Sequence, residues 1–140
     1  MSEKPHKRLI VWQKAMDAVE EVYRLTEQFP ADERFGLMSQ MRRASVSIAT
    51  NIAEGAARHT AKERLQFFYI SRGSLSELDT QLEITERLGF IQHEQRATTL
   101  RSLEEIGRLL NGLITTQRNR PDRTLSAHLL THSLTHSLTH

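Results

Sequence analysis

Two stretches of this 140-residue chain concentrate side chains able to do chemistry. The first runs from Arg42-Arg43 through Ser45, Ser47, Asn51 and Glu54 to Gly55; the second runs from Tyr69 through Ser71, Arg72, Gly73, Ser74 and Ser76 to Glu77. Both place polar groups beside apolar positions at helical spacing, and such groups need partners when buried. Asn51, Glu54, Arg72, Ser74 and Glu77 could form a binding site or a primitive active site. The reading favoured by their setting is structural: a polar network that pins two helices, or two subunits, with Arg72 paired to Glu54 or Glu77. Gly55 and Gly73 are poor helix residues unless a close contact requires the missing side chain.

A second set is basic: Arg42, Arg43, Arg58, Lys62 and Arg64. These residues suit either an interface with another subunit or phosphate contacts to nucleic acid. Phe67, Phe68 and Tyr69 lie at core-like spacing and do not form a stacking platform for single strands.

Metal and nucleophile chemistry find little support. The chain has no cysteine, which excludes disulfides and thiolate metal sites. No Gly-rich phosphate loop, His-Glu-x-x-His motif or nucleophile elbow occurs. A di-iron bundle needs Glu-x-x-His motifs, and the third residue after Glu54 is Ala57. His128, His132, His136 and His140 recur every four residues in a Leu-Thr-His-Ser repeat and could chelate zinc or nickel from one helix face. The repeat carries no carboxylate anchor, and a tandem CTCA tetranucleotide translates to the same four residues. A translated microsatellite is the simpler origin. No catalytic residue, cofactor or resident metal is expected.

Four helical patterns must position these groups. The first spans about 11–28, with Trp12, Ala15, Met16, Val19, Val22, Tyr23 and Thr26 on one face and Phe29-Pro30 ending it. The second spans about 36–58, with Leu37, Met41, Ala44, Ile48, Ile52 and Ala56 inward. Its many small residues predict close approach to neighbours and deep burial. The third opens on a Thr60-x-x-Glu63 capping box, carries Leu65, Phe68, Leu75, Leu78, Leu82, Thr85 and Leu88 inward, and stops at Gly89. The fourth spans about 94–117, with Leu100, Leu103, Ile106, Leu110 and Leu113 inward. Short connections predict an all-α, antiparallel up-down-up-down four-helix bundle over residues 1–123, followed by a low-complexity tail at 124–140.

The net charge of +2 hides a block pattern: +3 over 1–14, −4 over 15–40, +4 over 41–75, −4 over 76–95 and +3 over 96–124. Alternating blocks suit subunits that dock on one another. No apolar run reaches bilayer length and no signal peptide is recognisable, so a cytoplasmic protein with no membrane partner is expected.

The segments Leu9–Met16, Glu33–Leu37, Gln40–Arg43, Ser47-Ile48, Asn51–Gly55 and Arg72–Leu78 with Gln81-Leu82 resemble the four-helix bundle protein family, the intervening-sequence proteins of 23S ribosomal RNA genes. The resemblance covers about residues 9–117. It implies an up-down bundle that assembles as a homopentamer, with no established catalytic residues. Some members are encoded within insertions in ribosomal RNA genes. Related accessory proteins of diversity-generating retroelements bind a reverse transcriptase and nucleic acid through a basic pentameric surface. The function expected is therefore a non-enzymatic, ring-like homo-oligomeric scaffold. The alternative is a nucleic-acid-binding accessory protein, using the same basic residues or Arg118, Arg120 and Arg123, with RNA, DNA or a reverse transcriptase as partner.

Overall fold

The computed structural model describes residues 4–119. Four α-helices carry the fold: α1 (Ile10–Thr26), α2 (Leu37–Ala56), α3 (Ala61–Arg87) and α4 (His93–Asn119). Short 3-10 turns at Pro5–Arg8 and Ala31–Glu33 precede α1 and α2, and no strand occurs among the described residues. The histidine repeat and the expected boundary after residue 123 lie outside the described residues.

Local sequence explains the helix ends. The Thr60 hydroxyl accepts the Glu63 backbone N–H at 3.2 Å and starts α3. Of the expected capping box this arm alone forms. At the other end Gly89 takes φ +79°, the Gly89 N–H reaches the Glu86 carbonyl at 3.0 Å and the Phe90 N–H reaches that of Thr85 at 2.9 Å. This paired closure is the Schellman motif, for which glycine is the low-strain residue.

The principal contacts run α1–α2, α2–α3, α3–α4 and α4–α1, so the helices stand in a square with α1 diagonal to α3. Side chains that share the core include Val22, Met41, Ile48, Ile52, Phe68, Leu78, Leu82, Ile106 and Leu110, all at or below 1% exposure. Two bonds across α2 and α3 fix their antiparallel register: Ser47 Oγ with Ser74 Oγ at 2.8 Å, and Ser71 Oγ donating to the Ile48 carbonyl at 2.9 Å.

Helix α1 departs from expectation. Its buried residues are Val11, Ala15, Ala18, Val22, Leu25 and Thr26, while Met16 and Tyr23 stand 42% and 39% exposed. Apolar residues cover more than half of this helix, and two stripes one residue apart both satisfy the period. Ala15, Val22 and Thr26 are buried as expected and Trp12 and Val19 pack against the core, but the core also takes Val11, Ala18 and Leu25, rotating the inward face so that Met16 and Tyr23 lie outside, with Ala15 and Ala18 letting the axes approach. Leu88 is likewise 56% exposed, beyond the last turn of α3.

Candidate functional site

The polar residues of the two unusual stretches meet along the α2–α3 seam only in part. Asn51 donates through Nδ2 to the Ser47 carbonyl at 2.8 Å and to Ser47 Oγ at 3.0 Å, and Ser47 passes the chain on to Ser74. Asn51 and Ser74 thus belong to one relay. Glu54, Arg72 and Glu77 do not join it. Glu54 takes Arg58, one turn ahead, at 2.8 Å. Arg72 donates to Asn111 Oδ1 on α4 at 3.2 Å and lies 5.0 Å from the Tyr69 ring centre. Glu77 accepts from Gln81 at 3.0 Å. The expected ion pair of Arg72 with Glu54 or Glu77 is not formed among the described residues, because Arg72 points toward α4.

The two glycines differ sharply. A Cβ on Gly55 would stand 2.5 Å from Cε1 of Phe68 and 3.1 Å from the Arg64 carbonyl oxygen, so α2 touches α3 there only because the side chain is missing. A Cβ on Gly73 would meet nothing within 4 Å.

The five basic residues occupy three settings. Arg64 is 1% exposed, its Nε donating to Gln117 Oε1 at 2.6 Å and its Nη1 to the Arg58 carbonyl at 3.2 Å. Burial lowers its pKa from the ordinary arginine value, and a guanidinium remains charged all the same. Arg58 holds Glu54 and covers the Phe67 ring at 4.7 Å, beside exposed Lys62. Arg42 lies far along α2 from these: 16 positions separate it from Arg58, roughly 24 Å of helix. Its Nε donates to Thr26 Oγ1 at 2.8 Å, its Nη2 to the Tyr23 carbonyl at 3.3 Å, and its guanidinium lies 4.4 Å from the Tyr23 ring centre. Arg43 is exposed. One basic patch for a phosphate backbone therefore does not assemble from these residues.

A groove that the sequence reading did not single out lies where α1 ends and α2 begins. It encloses about 460 Å³ between Tyr23 on α1, Phe35 in the connection and Met38, Ser39 and Val46 on α2, with Arg34, Arg42 and Arg43 around it. The connection is built to hold Phe35 outward. The Gly36 N–H bonds to the Glu33 carbonyl at 3.0 Å and Glu33 Oε1 accepts the Leu37 N–H at 3.2 Å. A Cβ on Gly36 would press to 2.9 Å from that carboxylate oxygen. Phe35 is 90% exposed, Arg34 lying 5.8 Å from its ring centre. An aromatic between arginine and glycine in a polar connection was the available signal.

Chemically the groove is apolar with a cationic rim, and no carboxylate or histidine lines it to activate the Ser39 or Tyr23 hydroxyl. Among the described residues no three His, Cys, Asp or Glu side chains gather to hold a metal ion, and no helix is long and apolar enough to cross a membrane.

Comparison with known proteins follows the same lines. The model of the 23S rRNA-intervening sequence protein family matches residues 7–112. No curated protein matches. A crystal structure of a protein of unknown function from the S23 ribosomal protein family of Bacteroides thetaiotaomicron is similar in fold, with TM-score 0.69 and 23% identity, over 76% of this chain and 100% of that one.

Proposed function

The chain belongs to the 23S rRNA-intervening sequence protein family, and from that premise we propose that it is a non-enzymatic, cytoplasmic, homo-oligomeric scaffold. The homopentamer is the assembly that the family resemblance implies. The observation that carries the reading is Phe35, a large aromatic 90% exposed in an apolar groove of its own bundle. Exposed apolar patches with polar rims are docking surfaces on soluble proteins. Burial of Arg64 and the pairing of Arg58 with Glu54 weigh against the nucleic-acid alternative.

Light scattering after size exclusion, at low and high salt and with structured RNA, tests the reading. The expected result is a stable multi-subunit mass that ignores RNA. A salt-sensitive shift to a heavier RNA complex would replace it with the accessory-protein reading, since phosphate contacts weaken steeply with salt. A monomer under every condition would overturn it.

A further inference from the structure

We propose that the groove of Tyr23, Phe35, Met38 and Val46 receives the acidic outer ridge of α3 from the next copy of this chain, in a head-to-tail contact. The proposal rests on the homo-oligomeric reading above and names its two faces.

The ridge is the outward side of α3 around Thr80 and Ile84, with Asp79 and Glu83 beside them. Ile84 is 40% exposed. Glu83 reaches across to Arg96 of α4 at 3.4 Å, which places these carboxylates on the α3–α4 side of the square. The groove lies between α1 and α2. In a square ordered α1, α2, α3, α4 those are different sides, so neither surface covers the other within one copy and both are open to a head-to-tail contact.

Charge supports the same pairing. Arg34, Arg42 and Arg43 rim the groove, and no carboxylate lines it. Asp79 and Glu83 line the ridge, and the one cation there, Arg87, is held by Glu83 at 2.8 Å. Two copies docking groove to groove would set three arginines against three. Groove to ridge sets them against carboxylates, with Phe35 and Met38 facing Ile84.

Height decides the geometry. The serine bonds that fix the α2–α3 register place Met38 about level with Leu82 and Arg43 about level with Glu77. The groove and the ridge therefore occupy one level of the bundle. Rotation about an axis parallel to the helices preserves level, so it can bring the ridge of one copy to the groove of the next, and a rotation that divides the full turn evenly closes the contacts into a ring.

The test is charge reversal, read by light scattering with circular dichroism as the check on folding. Arg43 and Asp79 make none of the ion pairs among the described residues, and Arg34→Glu/Arg43→Glu should fold and lose the oligomeric mass. Asp79→Arg/Glu83→Arg should lose it too, giving up only exposed pairs of Glu83. The fourfold variant carrying all four changes should regain it. Should either pair misfold, Arg43→Glu and Asp79→Arg alone, and then together, give the same comparison. Retention of the wild-type mass by either reversed pair, or failure of the combined variant to reassemble, would overturn the proposal and leave the scaffold reading standing. A wild-type chain that is itself monomeric would overturn both.

Discussion

The lower α2–α3 seam and the groove at the start of α2 solve opposite problems. At the seam a glycine brings a backbone against an aromatic ring: Gly55 lies under Phe68, which is fully buried. At the groove a glycine turns the chain so that an aromatic ring leaves the protein: Gly36 follows Phe35, which is 90% exposed. The arginines divide the same way. Arg64 is buried and held by Gln117, whereas Arg43 is exposed on the groove rim. One region spends its residues on holding a single chain together, and the other leaves apolar and cationic groups for something else to cover.

That contrast can be broken by mutation. Phe68→Ala should cost about 3–5 kcal/mol of folding stability, as large-to-small changes of buried aromatics do, read by denaturant unfolding. Gly55→Ala should cost about 1–3 kcal/mol through overpacking. Because the added methyl meets the Phe68 ring, combining it with Phe68→Leu should cost less than the sum of the two single changes. Arg64→Leu should cost about 1–3 kcal/mol, since Gln117 Oε1 and the Arg58 carbonyl lose their donor. Gly73→Ala should stabilise the bundle by about 0.5–1 kcal/mol, the helix-propensity gain where nothing stands in the way. A Gly55→Ala protein as stable as wild type would show that the seam is loosely packed and would remove the contrast.

The bundle was readable because its signals are local and repeated. Thr60 and Gly89 mark the ends of α3, Pro30 closes the first connection, and the apolar period gives the inward faces of α2 and α4. The inward face of α1 was readable only in part: Ala15, Val22 and Thr26 are buried as expected and Trp12 and Val19 pack against the core, whereas Met16 and Tyr23 face outward and Val11, Ala18 and Leu25 are buried instead, a choice that only tertiary packing makes. The candidate site was harder still. Asn51 and Ser74 share one relay as expected from their proximity to the apolar stripes. Arg72, however, belongs to α4 through Asn111, a partner 39 positions away that no local pattern announces. Arg64 looked like a surface cation because the sequence around it is basic, and Gln117, which buries it, lies 53 positions on. The groove depends on the angle at which α1 meets α2 and on the turn before Leu37, neither of which is encoded in a periodicity.

If the groove is made to be covered by another copy, Phe35→Asp should separate the copies without unfolding them. Phe35 contributes almost nothing to its own bundle, so the variant should keep the wild-type helical signal and melting of the isolated fold. In sedimentation equilibrium the wild type should give a mass about five times the 16.1 kDa of one chain, and Phe35→Asp the mass of a single chain. A folded Phe35→Asp protein with the full wild-type mass would contradict the claim.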